Sequence, residues 1–199
     1  MSTTETSTQI APAGPKRADA RRNRERVLAA AREAFAAGGE STSLEEVARR
    51  AGVGIGTLYR HFPNRQALLE ALYVNEVEQV CRTASELADA DPWQAFHDWF
   101  ERLIGYLVTK RALASELLNY LDADAPLFKE CRTGLYEAGE PLLTRAQNAG
   151  VVRPDVEFPQ VMHMVVGISK IPSEPAQIEH ILRIALDGLR YQPQPQTNY

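Results

Sequence analysis

Residues 57–61 bring four different polar groups together: the hydroxyl of Thr57, the phenol of Tyr59, the guanidinium of Arg60 and the imidazole of His61. Hydroxyl, phenol and imidazole groups bind phosphate oxygens, and a guanidinium binds the edge of a guanine through two hydrogen bonds. An ordinary solvated helix face would contain mainly Glu and Lys at such positions. The set therefore suits a surface that enters the major groove of DNA and contacts the phosphates beside it.

A short helix is predicted just before this set. Ser43 and Glu46 have the spacing of a capping box, which begins a helix at Leu44. One face of that helix is apolar, because its apolar residues recur at spacings of three and four: Leu44, Val47, Ala48 and Ala51. Gly52 follows where the chain must reverse, and only glycine takes a positive φ freely.

A second short helix would then hold the polar set. Gly54 caps it without a side-chain acceptor, and Leu58 and Phe62 are spaced to pack inward. Pro63 ends this helix and Asn64 caps the next one. Two helices joined by a glycine turn also occur in helical proteins that bind no nucleic acid. The outward polar set, rather than the turn, is what favours DNA binding.

The run from Gly52 to Phe62, GVGIGTLYRHF, resembles the signature of the tetracycline-repressor (TetR) family of bacterial transcription regulators. The similarity extends over residues 22–70. It implies an all-helical homodimer in which three N-terminal helices bind a palindromic operator. A divergent C-terminal helical domain would dimerise and usually bind a small effector.

The resemblance places the family's phosphate contacts on Thr42, Thr57, Tyr59, His61 and Arg65. It implies that Gly56 lets the backbone approach DNA closely, and that base contacts come from the start of the recognition helix and from Arg60. Many members have a hydroxyl residue where this chain has Gly54 and a Lys where it has Ile55, so those polar contacts are missing. Our hypothesis is that Ile55 meets a thymine methyl and Arg60 a guanine.

The charge is unevenly distributed along the chain. The net charge is −4, but residues 16–65 contain eleven Lys or Arg against six Asp or Glu, a net of +5. Residues 71–199 contain eleven against eighteen, a net of −7. A positive N-terminal part on an acidic remainder would orient the former toward a duplex. Four basic residues near the N-terminus either contact DNA or form a solvated basic segment: Lys16, Arg17, Arg21 and Arg22.

Composition excludes several other classes. The 199 residues, 44% of them apolar, contain no apolar run of membrane-spanning length, and residues 1–14 do not resemble a signal peptide. We expect a cytoplasmic protein with reduced thiols at Cys81 and Cys131, although a redox role for either remains an alternative. No motif of an enzyme is visible, and we expect no cofactor and no metal; the side chains of Met162–His163–Met164 would diverge on a helix.

The sequence pattern predicts an all-α fold of about nine helices. We expect a disordered tail over 1–18, a helix-turn-helix unit over 19–65 (the head), a ligand-binding and dimerisation domain over 66–191 (the body) and a frayed tail over 192–199. The first helix would run from Asp19 to Ala37, and a separate short helix would cover 112–121. Pro141 is a predicted kink, and the last helix would span 174–191.

The effector site is expected among aromatic and polar residues of the body: Trp93, Phe96, His97, Phe100, Tyr106, Tyr120, Phe128, Tyr136 and His163. Any one of them taken alone is more simply explained as a core residue. Because the body is rich in aromatic residues and has no basic cluster, an apolar or aromatic ligand is favoured over an anionic one.

The last helix has an amphipathic stripe that predicts a dimer interface: Ile178, Ile181, Leu182, Ala185 and Leu189. Packing within the subunit must account for part of it. Together these features predict a homodimeric, sequence-specific DNA-binding regulator, most simply a repressor released from a palindromic operator by a small apolar or aromatic effector. The alternative is a DNA-binding or interaction module that responds to no effector.

Overall fold

The computed structural model describes residues 15–38 and 41–191, and within them the chain is all-α. The one extended pairing there is an isolated antiparallel bridge between Val152 and Arg190. The predicted fold class is confirmed. Of the tails predicted over 1–18 and 192–199, residues 1–14 and 192–199 lie outside the described residues, whereas the expected disorder is wrong for 15–18, which begin the first helix. The helices are α1 Pro15–Gly38, α2 Leu44–Ala51, α3 Ile55–His61, α4 Arg65–Glu86, α5 Pro92–Leu117, α6 Pro126–Asn148, α7 Phe158–Ser169 and α8 Pro175–Asp187.

Three helix boundaries differ from those predicted. The first helix begins at Pro15 rather than Asp19, because proline is well suited to the first helical position. No separate helix forms over 112–121: residues 112–117 instead continue α5, since no Gly or Pro interrupts the chain after Gly105, and 118–121 form a turn. The helix α6 continues across Pro141, and α8 ends at Asp187 rather than at 191.

The chain after α8 folds back on the loop between α6 and α7, which is why the last helix is short. The N–H of Arg153 donates to the carbonyl of Leu189 at 3.0 Å, and the N–H of Tyr191 donates to Val151 at 2.9 Å. The guanidinium of Arg190 lies 4.9 Å from the ring centre of Trp93, at the start of α5. The C-terminal end of the described chain is thereby fixed to the body.

The helix α5 lies in the centre of the body, against α4, α6, α7 and α8. Its Trp99 is fully buried and donates through Nε1 to the carbonyl of Val80 on α4 at 3.1 Å. Trp99 also packs edge-on against Phe100, with ring centres 5.0 Å apart, and both rings approach Phe158 of α7 at 6.0 Å. This aromatic cluster joins three helices of the body.

A glycine allows α6 to approach the cluster. A Cβ built on Gly139 would lie 2.4 Å from both Phe158 Cζ and Trp99 Cη2. Such distances are impossible for real atoms, so the position admits no side chain without movement of two large rings.

Among the described residues, no helix combines the length and apolar character needed to cross a membrane.

Gly139→Ala tests this packing. Alanine normally stabilises a helix interior by up to about 1 kcal/mol relative to glycine. Here we expect the opposite, a loss of about 1–3 kcal/mol in the free energy of unfolding, because the core is overpacked. Gly134→Ala on the same helix is the control: its Cβ would meet Cys81 Sγ at an ordinary 3.8 Å. Urea unfolding of both variants measures the difference, and equal stability would contradict the close approach.

Candidate functional site

The turn between α2 and α3 has the predicted geometry. The hydroxyl of Ser43 accepts a hydrogen bond from the N–H of Glu46 at 3.1 Å and caps α2. Gly52 has φ 62° and ψ 38°, in the left-handed region, and its N–H bonds the carbonyls at the end of α2. The N–H of Val53 then donates to Ala48 at 3.0 Å, which closes the turn.

An arginine of α1 donates hydrogen bonds to the backbone of this turn. The Nη2 of Arg26 donates to the carbonyl of Ala51 at 2.6 Å and to that of Gly52 at 2.9 Å. A Cβ on Gly52 would lie 2.8 Å from the same nitrogen. Glycine is therefore favoured here by its positive φ, and a side chain would also displace the end of Arg26. The pattern of local spacings could not reveal Arg26, because its partners are 25 and 26 residues away.

The helix α3 presents the polar set and one apolar residue to solvent. Ile55 is 38% exposed and Tyr59 43% exposed, whereas Leu58 on the opposite side is fully buried. Arg60 is exposed, and Thr57 and His61 are half-buried. The imidazole of His61 tilts against the buried ring of Phe62. Ile55, Tyr59 and Arg60 therefore share the accessible face of α3, whereas Thr57 and His61 lie at its half-buried margin.

Packing within the subunit does not explain the glycines that begin α3. A Cβ on Gly54 or Gly56 would meet no atom within 4 Å. Both residues therefore open a strip of backbone toward solvent beside Ile55. Such a strip allows close approach by another molecule.

The arginine of this face folds back on its own helix. Arg60 donates from Nε to the carbonyl of Gly56 at 3.2 Å and from Nη2 to the hydroxyl of Thr57 at 3.4 Å. Both contacts are long and exposed, so they cost little to exchange for a base edge or a phosphate.

The carboxylate of Glu46 accepts hydrogen bonds from two other arginines of α2. It does not complete the predicted capping box; instead Arg50 donates to it at 2.6 Å and Arg49 at 2.8 Å. These hydrogen bonds, first from Arg50 and then from Arg49, lower the pKa of Glu46 below its usual value. The carboxylate therefore stays ionised and holds both guanidinium groups on α2.

Two predicted phosphate contacts do not lie on the exposed face. Thr42 is buried, and its hydroxyl donates to the carbonyl of Ala34 at 3.0 Å. Arg65 donates from Nε to Glu116 Oε1 at 2.6 Å and also to the carbonyl of Thr42. Positions matched from the family could not reveal this, because the carboxylate that binds Arg65 comes from α5, 51 residues later. In this conformation both side chains stabilise the head rather than a phosphate.

The contact between Arg65 and Glu116, which we name the head–body tie, joins the first residue of α4 to the end of α5. Glu116 is 5% exposed, and the guanidinium of Arg65 also lies 4.8 Å from the ring centre of Phe35. Removing two charges from water is costly unless each is fully paired. The tie is therefore satisfied only while the end of α5 stays against the loop that precedes α2.

The body contains a pocket of about 460 Å³, whose lining includes Ala114 and Leu118, on either side of Glu116 in the sequence. Three of the predicted ligand-binding residues line it: Phe128, Tyr136 and His163. We name it the body pocket, and its remaining walls are Tyr73, Leu107, Ala114, Leu118, Ala123, Arg132, Leu135, Met162 and Val166. Sequence reasoning missed Arg132, although it lies four residues after Phe128 and three before Leu135, on one helix face.

The other predicted ligand-binding residues lie elsewhere. Phe96 and Phe100 are fully buried and pack against each other at 4.9 Å. Trp93 contacts Arg190, and Tyr120 is 45% exposed. His97 lies near Asp98 and Glu101 on α5, and these three offer possible metal-ligand atoms within 4.8 Å of one another. They are side chains of adjacent turns at half-buried positions, and we assign them no role.

Two further cavities are lined mainly by residues of the body. A groove of about 580 Å³ between α4 and α6 contains Cys81 and Cys131 together with Glu78, Arg82 and Glu130. Neither cysteine forms a disulfide. Burial, helped by the charge of Glu78, raises the pKa of Cys81, which disfavours a reactive thiolate. A cleft of about 390 Å³ is more polar and is lined by Arg32, Glu76, Val80, Glu101, Arg102, Gly105, Tyr106 and Glu179.

Two buried tyrosines separate the body pocket from this cleft. Tyr73 is 2% and Tyr106 6% exposed, and their hydroxyls influence each other's pKa. Burial raises the pKa of Tyr73 to about 12 and that of Tyr106 further, so both remain protonated near neutral pH. They form a neutral polar wall between α4 and α5.

The predicted dimer stripe of α8 is only partly accessible. Ile178 is 3% exposed and Leu182 fully buried, because both face the body interior, where α8 packs against α5. Ile181, Ala185 and Leu189 are half-buried, and Leu189 lies beyond the end of the helix. The large apolar residue that α8 does expose is Ile184, at 59%.

The fold and the α3 face together define a helix-turn-helix DNA-binding protein with a separate helical body. Sequence profiles support this class over most of the chain. The N-terminal profile of bacterial regulatory proteins of the tetR family matches residues 27–72. The profile described as the C-terminal domain of SbtR-like transcriptional regulators matches residues 91–191. The chain belongs to the TetR family of transcriptional regulators.

Solved structures and a curated relative agree. A TetR transcriptional regulator from Streptomyces coelicolor is 37% identical, covers 85% of this chain and 99% of its own, and superposes with a TM-score of 0.77. A TetR regulatory protein from Mycobacterium vanbaalenii is 35% identical over 88% of this chain and 99% of its own, with a TM-score of 0.75. The transcriptional regulator UidR of Escherichia coli K12 is 24% identical over 76% of this chain and 80% of its own.

The head–body tie can be tested with Glu116→Gln. The amide keeps the size of the side chain but leaves the charge of Arg65 without its counter-ion, so we expect a loss of about 1–2 kcal/mol in the free energy of unfolding. Glu130→Gln, at an exposed carboxylate of α6, is the matched control and should change stability by less than about 0.5 kcal/mol. Urea unfolding measures both. Equal effects would show that the tie contributes nothing.

Proposed function

We propose that this protein is a homodimeric repressor that binds a palindromic operator through α3 and is released from it by a small apolar or aromatic effector. The exposed face of α3 is the observation that most favours this function. It combines an open backbone strip at Gly54 and Gly56 with Ile55, Tyr59 and Arg60, so it offers apolar, phenolic and guanidinium contacts in one place. In the proposal, the head over 19–65 binds DNA and the body over 66–191 binds the effector and the partner subunit.

Dimerisation follows from the size of the head. A seven-residue recognition helix contacts few base pairs, so one copy would distinguish sequences poorly. Two copies related by a two-fold axis contact two half-sites about 34 Å apart, one turn of the double helix. The exposed Ile184, with the half-buried Ile181 and Ala185 beside it, gives α8 an apolar patch for that interface.

The end of α5 supplies a route from effector to DNA. Ala114 and Leu118 line the body pocket, and Glu116, which lies between them in sequence, faces the head and binds Arg65. An effector that pushes against Ala114 and Leu118 would therefore also move the carboxylate that positions the head. Coupling of about 1–3 kcal/mol is typical between two such sites and would reduce operator affinity severalfold or more.

One experiment tests the whole proposal. Operator sequences are selected from random duplexes with the full-length protein, and a metabolite panel is then screened for release of the selected duplex. We expect a palindrome, a dimer on it, and release by an apolar or aromatic compound. Palindromic binding that no compound releases would favour the alternative, a DNA-binding module without an effector. Binding without sequence preference would overturn the proposal.

Tyr59→Phe tests phosphate contact on the selected operator. Loss of the hydroxyl should weaken binding about threefold to tenfold, and similarly on specific and random duplexes, because phosphate contacts carry no sequence information. Tyr120→Phe, at an equally exposed tyrosine of the body, is the control and should leave affinity unchanged. Fluorescence anisotropy at fixed salt measures both. An unchanged affinity for Tyr59→Phe would reject its role.

Arg60→Ala tests base contact. We expect the preference at one base pair of each half-site to weaken by about 1–3 kcal/mol, while the other positions keep theirs. Repeating the selection with the variant measures this position by position. Arg82→Ala, at an exposed arginine of α4, should leave the selected sequence unchanged. A uniform weakening at every position would assign Arg60 to the phosphates instead.

A further inference from the structure

Three cavities lined by described residues of the body differ in charge. The groove between α4 and α6 contains two glutamates and one arginine, and the polar cleft contains three glutamates and two arginines. The lining of the body pocket includes no Asp or Glu among the described residues, but it does include Arg132 and His163. Of these three cavities, the body pocket alone combines an apolar wall with an excess of positive charge.

Arg132 is available to a ligand. Its side chain is exposed, and among the described residues no hydrogen-bond acceptor or ion-pair partner is found for it, unlike Arg26, Arg65 and Arg145. Its charge also acts on the Tyr73 hydroxyl at the pocket wall, where it opposes the increase in pKa that burial causes. Arg132 is itself one of the residues that line the body pocket.

Apolar side chains from several helices cover the rest of the pocket. Leu107 of α5, Leu118 just after its end, Phe128 and Leu135 of α6 and Met162 of α7 line it. Its volume of about 460 Å³ is within the usual range of small-molecule sites. Such a wall binds hydrocarbon or an aromatic ring and gains free energy from the area removed from water.

We propose that the body pocket binds an amphipathic monocarboxylate, with its apolar part among these side chains and its carboxylate paired with Arg132. The proposal deepens the effector control proposed above by adding one negative charge to the apolar or aromatic ligand. A guanidinium binds a carboxylate through two parallel hydrogen bonds, which an ammonium group cannot reproduce. His163 of α7 lines the same pocket.

A matched pair of probes isolates the charge. 2-Naphthylacetate and 2-naphthylacetamide have the same ring and nearly the same shape, but only the first is anionic. Decanoate and decanamide form a second pair with a flexible chain. Binding of all four to the full-length protein is measured by isothermal titration calorimetry at fixed salt, without DNA.

We expect each acid to bind the wild-type protein about fivefold to tenfold more tightly than its amide. Arg132→Met, which keeps the apolar stem, should remove this preference and leave amide binding unchanged. Arg132→Lys should restore only part of it. Arg82→Met, at the arginine of the neighbouring groove, is the control for general charge and should behave as the wild type.

Three results would overturn the proposal: acids that bind no better than amides, a preference that survives Arg132→Met, or no binding of either acid at millimolar concentration. Release of the operator is measured separately. Acids that bind through Arg132 but leave operator binding unchanged support the ligand class and contradict effector control. A neutral compound that releases the operator from a protein that binds no acid supports effector control and contradicts the ligand class.

Discussion

The position of the DNA-binding helices depends on how the charge of Arg65 is satisfied. Its guanidinium lies between α1, the loop before α2 and the end of α5, where it meets the ring of Phe35, the carbonyl of Thr42 and the carboxylate of Glu116. A largely buried charge must keep its partners or return to water. Any rearrangement of the last turn of α5 therefore forces a rearrangement at the base of the head.

The sequence predicted several features that depend on neighbours along the chain. The caps at Ser43 and Asn64, the left-handed turn at Gly52 and the outward face of α3 follow from contacts over a few residues. The pairing of Arg65 was not predictable in this way, because the guanidinium can reach either a phosphate or a carboxylate. Its choice depends on where α5 ends, and α5 proved longer than its sequence pattern indicated.

In the body, the sequence could not predict which residues line a cavity. Aromatic residues were correctly expected to form its core, but side-chain type does not say which of them face a cavity. Phe100 and Phe128 are chemically identical, yet the first fills the centre and the second lines the body pocket. The stripe on α8 was likewise a real amphipathic pattern, but α5 covers Ile178 and Leu182, so the subunit interior uses much of the surface predicted for a partner.

Ion pairs within the head reduce what its arginines can contribute to DNA affinity. Arg49 and Arg50 are held by Glu46, and Arg22 by Asp19, so phosphates must compete with carboxylates for these cations. Each contact exchanged in this way adds little net affinity. In the proposed homodimer, tight binding would then require both heads to engage together, at a spacing that the body sets. There, a small displacement at the tie between Arg65 and Glu116 would have a large effect, because it would remove simultaneous engagement rather than a single contact.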